Sequence, residues 1–185
     1  RTAFAADVVT INEPVRREIE ATRHFLAYPN QPVLLPKMEG GPAAANVWST
    51  RDRVAAALGI PKDRLLQRLL EAQTHPMDTR LVDHAPFQKH ATADVDLMEL
   101  PIPKLFPKDA GRFVTAGVWV AEWEGNRNLS FHRIQVLDAK RGACRIVPRH
   151  LRHMYTEAMT AGQERKVAVC IGLDPWNLLG GGTSV

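Results

Sequence analysis

The chain is poor in the residues that announce several large classes of protein. It has two cysteines, Cys144 and Cys170, in 185 residues. That is too few for a disulfide framework, and their separation does not suit a zinc site. Both lie in apolar contexts, "GACRIV" and "VAVCIG", and are expected to be buried strand residues. No apolar run approaches the roughly 18–20 residues that a membrane span requires. The opening "RTAFAADVVTINEP" has no basic segment leading into an apolar one, so it does not read as a secretory signal. It also lacks an initiator Met, and the gene product is expected to begin upstream. Neither sign of charge dominates: 24 basic residues against 20 acidic give +4. The basic residues are scattered, which suits an enzyme with an anionic ligand better than a nucleic-acid binder. Walker loop, GxGxxG fingerprint, GxSxG elbow and HExxH helix are all missing.

What remains has the composition of a globular protein, 45% hydrophobic and 24% charged, and the cytosol is the expected compartment. Residues 1–110 read as an α/β domain with a long connecting segment. "DVVTINEPV" offers a short strand and then a helix from about Asn12, with Val15, Ile19, Thr22 and Phe25 on one side. "QPVLLPKMEGG" reads as a buried strand closed by glycines. Ser49 and Asp52 form an S-x-x-D box capping "RDRVAAAL", which Gly59 ends. Pro61 restarts a helix whose stripe is Leu65, Leu66, Leu69 and Leu70. From His75 to about Ala110 little periodicity survives, and an irregular connection is expected. Residues 111–185 turn β-rich: strand "RFVTAGVWVAEWE", turn "GNRN", strand "LSFHRIQVLD", strand "ACRIVP", helix "RHLRHMYTEAM" and strand "KVAVCIG". This second half reads as the beginning of a β-rich domain, and its closing glycine cluster does not read as a natural terminus.

The segment "NRNLSFHRIQV" concentrates polar chemistry in what should be one strand. Alternation places Asn128, Ser130 and His132 on one face, with Leu129, Phe131 and Arg133 on the other. A solvated strand face would account for the first set. The guanidinium of Arg133, beside an aromatic and a leucine, would either snorkel or meet a carboxylate or phosphate. In "VPRHLRHMY", Pro148 should start a helix with Arg149 and His150 in its first turn, where free backbone N–H groups favour anions. The spacing of His150 and His153 is a weak metal signal. Trp119 and Trp123 suit packing better than a stacking platform.

Taken together, "DVDLMELPIPKLFPKDAGRFVTAG", "NRNLSFHRIQVLD", "PRHLRHMYTEA" and "KVAVCIGLDP" resemble, in order and spacing, the UbiD-like decarboxylases. "TINEPV", "PVLLPKMEG" and "NVWSTRDRVAAALGI" resemble that family's first domain, so the likeness covers nearly the whole chain. It implies an α/β domain followed by the first part of a split β-barrel flavin-binding domain, α+β overall. It also implies a non-oxidative carboxy-lyase using prenylated FMN, Mn²⁺ or Mg²⁺, and often K⁺. A flavin prenyltransferase would supply the cofactor, and a homo-oligomer is expected.

By the same resemblance Asn128 and His150 are metal ligands, and the Leu129 backbone faces the monovalent cation. Ser130, Phe131 and Arg149 line the cofactor, while Arg133 is both cofactor-binding and the catalytic arginine. The family's proton-donating glutamates and its remaining metal-binding glutamate match nothing here and are expected beyond residue 185. The substrate would be an α,β-unsaturated or aromatic acid, with anhydromevalonate phosphate and 4-hydroxy-3-polyprenylbenzoate as the two types. A non-catalytic flavin-binding subunit completed by a second chain is the alternative. A nucleic-acid module built on "RHLRHMY" would require steeply salt-dependent binding.

Overall fold

The computed structural model describes residues 7–77, 80 and 82–183. Among these the chain is α+β, with three small sheets of three strands each. In the first, β1 (Val9–Thr10) runs parallel to β2 (Val33–Leu35), which pairs antiparallel with β3 (Ala43–Ala45). Val33 and Leu35 are fully buried, and they pack with Val15, Ala21 and Met38.

The helix expected from Asn12 begins eight residues later, as α1 (Glu20–Ala27). Residues before it are recruited by tertiary hydrogen bonds instead. Val15 N–H donates to Lys37 O, Glu39 N–H donates to Val15 O, and Ile19 N–H donates to Lys104 O. An extended ribbon docked on both sides outweighs helix propensity, which is a weak preference. Ile19, at φ +66°, makes the turn into the helix.

The next helix, α2 (Arg51–Leu58), is capped by Thr50 rather than Ser49. Its hydroxyl accepts from Arg53 N–H at 3.3 Å, while Asp52 pairs with Lys62 at 2.8 Å instead of closing a box. Gly59 ends the helix at φ +67°, as expected. Thr50→Ala should lower stability by about 1 kcal/mol in chemical denaturation, the usual loss for a missing N-cap. Helix α3 (Leu65–Thr74) follows a single 3-10 turn, and its leucine stripe is left open, with Leu66 and Leu70 exposed. Among the described residues the stretch that follows is irregular apart from the short turn Pro86–His90 and an isolated bridge of Lys104 to Glu18, as its composition implied.

The second half builds two sheets from one meander. Strands β5 (Val118–Trp123) and β6 (Asn126–Phe131) form a hairpin, and β9 (Val167–Cys170) pairs with the other edge of β5. The other sheet has the order β4 (Phe113–Val114), β7 (Ile134–Val136), β8 (Gly142–Cys144). The hairpin tip is Glu124–Gly125, at φ +49° and +80°, a two-residue turn with both residues left-handed. The expected turn "GNRN" is therefore displaced, and Asn126 is already paired with Trp123.

Helix α4 (His150–Thr160) lies against β5 and β6. Leu151 on α4 joins Trp119 and Ala121 in the second core. The closing glycines belong to a further helix, α5 (Pro175–Gly182), which the sequence reading left without structure. Asp174 caps it, accepting from the Trp176 and Asn177 N–H groups. Partial burial raises the Asp174 carboxyl, but hydrogen bonds from the Asn177 side chain and the backbone outweigh it and hold its pKa low. Such a cap stabilises above the unfolded carboxylate pKa, near 3.9, and is lost as pH falls through the lower folded value. Neither cysteine is buried as expected: Cys144 is exposed on the short edge strand β8, and Cys170 is half-buried.

Candidate active site

The strand "NRNLSFHRIQV" is two strands. It runs as β6 in one sheet, breaks at His132 and Arg133, and continues as β7 in the other. Strands that change sheets at a bend make the corners of such packings. The break resolves why one segment carries polar groups of different kinds. Residues before it belong to one wall, and Arg133 belongs to the corner.

Along β6, alternation holds. Asn128 Nδ2 donates to Ser130 Oγ at 3.0 Å, and His132 Nε2 lies 3.0 Å from the same Oγ. Asn128 is paired with Ala121 within the sheet, so it is a strand residue rather than part of the turn. His132 is buried, and its carbonyl accepts from Trp119 Nε1–H at 3.0 Å. Trp119 accordingly packs in the core, as its sequence context suggested.

A cleft of about 500 Å³ opens beside this strand. It brings together Asn128, Leu129, Ser130 and Phe131 from β6 with Arg149 and His150 from the start of α4. Arg149 is the residue before the helix, with extended backbone, and His150 is the first helical residue. The two were expected together in the first turn, but Arg149 stands outside it. Among the described residues no side chain caps this end. Its first N–H groups are left for water or a ligand, and the helix dipole there favours an anion.

Arg133 does not line the cleft. It is exposed, with its guanidinium carbon 5.3 Å from the centre of the Phe113 ring. His153 lies on the exposed face of α4 and pairs with Glu157 at 3.3 Å. A larger hollow of about 810 Å³ adjoins the first and shares Asn128, Leu129 and His150 with it. A third cavity, of about 450 Å³ between α4 and the sheet, has an apolar floor with Glu122, Glu164, Arg165 and Lys166 at its edge, and none of Asn128, Ser130, Arg149 or His150 lines it.

Gly181 and Gly182 of α5, with Thr183, complete the cleft wall, and sequence reasoning missed them. A side chain at Gly181 would meet Val118 Cγ1 at 3.1 Å and Phe131 Cε2 at 3.3 Å, so a glycine there lets α5 lie close on β5 and β6. The signal was present in Asp174–Pro175, an N-cap followed by a first-turn proline.

The donor set can be weighed as a metal site. Asn128 has an amide whose NH₂ is engaged by Ser130, leaving the carbonyl oxygen for another partner. His150 supplies an exposed imidazole to the same cleft. Among the described residues no three His, Cys, Asp or Glu side chains come together to hold an ion. A divalent cation would therefore take an oxygen and a nitrogen from this chain and the rest of its shell from elsewhere. That donor set fits a divalent cation whose remaining ligands are oxygens. Among the described residues no helix is long and apolar enough to cross a membrane.

Comparison with known proteins agrees with this architecture. Residues 3–73 match the 3-octaprenyl-4-hydroxybenzoate carboxy-lyase N-terminal domain, and residues 80–185 match the Rift-related domain of the same family. Anhydromevalonate phosphate decarboxylase of Methanosarcina mazei is 34% identical over 169 residues, which is 91% of this chain and 40% of the relative. The enzyme of that name from Archaeoglobus fulgidus is 36% identical over 190 residues, covering 97% of this chain and 43% of the relative. The chain thus spans about two fifths of the length of these relatives. Among solved structures, the UbiD-class enzyme HmfF from Pelotomaculum thermopropionicum in complex with FMN superposes with a TM-score of 0.85 at 30% identity, over 91% of this chain and 40% of that one. An evolved dimeric form of HmfF in complex with prFMN gives the same TM-score of 0.85. Two family domains matched end to end, and relatives above 30% identity along most of the chain, place this protein in the UbiD carboxy-lyase family.

Proposed function

We propose that this chain is the N-terminal portion of a non-oxidative decarboxylase that uses prenylated FMN. In this reading residues 1–110 form the α/β domain with its connecting segment, and residues 111–185 the first part of a split β-barrel around the flavin. The carrying observation is the cleft in which Asn128, Leu129, Ser130, Phe131, Arg149 and His150 meet an uncapped helix start. When bound, prenylated FMN supplies an electrophilic ring system that draws electrons from the substrate as CO₂ leaves.

The residues have separable tasks. The free N–H groups at the start of α4, with Arg149, hold the flavin phosphate. Asn128 Oδ1 and the His150 imidazole would hold Mn²⁺ or Mg²⁺, which would neutralise phosphate charge, and the Leu129 backbone would face K⁺. Ser130 and Phe131 line the cofactor. Arg133 reaches the substrate carboxylate and sets the acidity of a glutamate proton donor supplied from outside residues 1–185. The substrate is an α,β-unsaturated acid, and anhydromevalonate phosphate is favoured by the names of the relatives. An aromatic acid such as 4-hydroxy-3-polyprenylbenzoate is the other class. Those relatives carry the matching segment within one longer polypeptide, which favours a catalytic chain over a flavin-binding subunit completed by a partner. The enzyme would work in the cytoplasm as a homo-oligomer.

Native and then denaturing mass spectrometry tests the proposal on the full-length protein co-expressed with a flavin prenyltransferase. Wild type should release prenylated FMN and carry manganese or magnesium. Asn128→Ala and His150→Ala should each weaken metal retention by at least about tenfold, since even residues behind the ligands cost that much. Wild-type protein that releases no flavin would rule the proposal out.

A further inference from the structure

His132 has no task in the scheme above, yet it is a buried side chain on the wall, held from several sides. It is 7% exposed, at the point where the strand leaves one sheet for the other. Its ring stands edge-on to Trp119, with centroids 5.5 Å apart and planes at 75°. Its carbonyl is held by the Trp119 indole N–H at 3.0 Å. Backbone and ring are therefore both fixed, with Nε2 aimed at Ser130.

A serine hydroxyl has one proton to give. Ser130 Oγ lies 3.0 Å from Asn128 Nδ2 on one side and 3.0 Å from His132 Nε2 on the other. With the serine proton given to one of these two neighbours, two arrangements satisfy all three groups. In the first, Asn128 Nδ2–H donates to Ser130, and Ser130 O–H donates to an unprotonated His132 Nε2. The Asn128 carbonyl oxygen is then free toward the cleft. In the second, His132 Nε2–H donates to Ser130, and Ser130 donates to Asn128. The amide must then turn its oxygen to Ser130 and its NH₂ to the cleft, where no cation can use it.

We infer that His132, accepting the Ser130 hydroxyl at Nε2, is the positioning residue that keeps the Asn128 carbonyl oxygen turned toward the cation site through Ser130. The inference rests on the proposed function, which makes Asn128 a metal ligand. A histidine that merely filled the core would be replaceable by any side chain of similar volume. A positioning histidine needs an acceptor at Nε2.

The test uses full-length protein loaded with FMN and stripped of metal by chelation, titrated with Mn²⁺ and followed by electron paramagnetic resonance. His132→Leu keeps bulk but removes the acceptor, and should bind Mn²⁺ at least about tenfold more weakly, the usual range for residues that orient a ligand. His132→Gln offers its amide oxygen near the Nε2 position and should stay within about threefold of wild type. Ser130→Ala should match His132→Leu, and the double variant should be no weaker than either, because both changes break one chain. Wild-type affinity in His132→Leu, or in Ser130→Ala should His132→Leu fail to fold, overturns the inference. So does a His132→Gln as weak as His132→Leu. Wild-type protein that binds neither FMN nor Mn²⁺ instead sinks the proposed function, and this inference falls with it.

Discussion

Arg133→Ala should reduce decarboxylation by about 10²–10³-fold or more while leaving flavin bound, the scale of losing one preorganised charge at a reacting centre. The separation follows from position. Arg133 lies in the break between β6 and β7, outside the cleft that Asn128, Arg149 and His150 line. Among the described residues it makes no ion pair, and its guanidinium carbon stands 5.3 Å from the centre of the Phe113 ring. An exposed cation–π contact is worth about 0.5–1 kcal/mol, so its loss should not disturb the fold. Arg133→Lys keeps the charge without the planar fork and should recover only part of the rate. Single-turnover decarboxylation together with the flavin absorbance of the purified variant reads both quantities. Loss of flavin would show that Arg133 serves binding, and the acid–base role assigned to it would fall.

Trp119→Ala should destabilise the chain by about 3–5 kcal/mol, the range for removing a buried Trp. Domains of this size are commonly stable by only about 5–15 kcal/mol, so the variant would lose a large share of its margin. Trp119 is 8% exposed and forms a core with Ala121 and Leu151, against which Ile134, Ile146, Met154 and Val169 pack. Those residues come from strands of both sheets, from α4 and from the link before it, so a cavity there loosens the sheet and α4, which frame most of the cleft. The indole also donates to the His132 carbonyl. Trp119→Phe, which retains an aromatic ring but leaves that carbonyl without its donor, should cost about 1–3 kcal/mol. Urea denaturation measures both through the midpoint at an unchanged slope. A loss below about 1 kcal/mol for the alanine variant would mean that this cluster does not hold the sheets together.

The parts of this structure that were legible in the sequence are those set by local rules. Strict alternation put Asn128, Ser130 and His132 on one face, and their hydrogen bonds bear that out. Gly59 was readable as a helix stop because only a left-handed residue closes that turn. The failures share a cause in tertiary pairing. Val15 and Ile19 have helical spacing, but their backbone groups bond to Lys37, Glu39 and Lys104, which no local rule reports. The hairpin tip was misplaced because Glu124 adopts φ +49°, a conformation that a glutamate does not advertise. Cys144 sits in an apolar run, but on an edge strand of three residues that leaves it exposed. In the site, the spacing of His150 and His153 said little by itself. The family likeness singled out His150, and the cleft shows it facing Asn128's wall. The sheet change at His132 and Arg133 was invisible, because both halves of the segment are ordinary β-formers.

That sheet change also governs where the chain can tolerate insertions. At Glu124–Gly125 the tip is an exposed two-residue turn, and an added residue there exchanges one hairpin loop for a longer one. Between Ser130 and the corner there is no such slack. One residue more or fewer would turn every following side chain to the opposite face. His132 would swing out of the core, its carbonyl would lose Trp119, and Arg133 would exchange the corner for the interior. The five-residue step from Asn128 to Arg133 is thus a fixed length, as rigid a constraint on how this chain can vary as the identity of either residue.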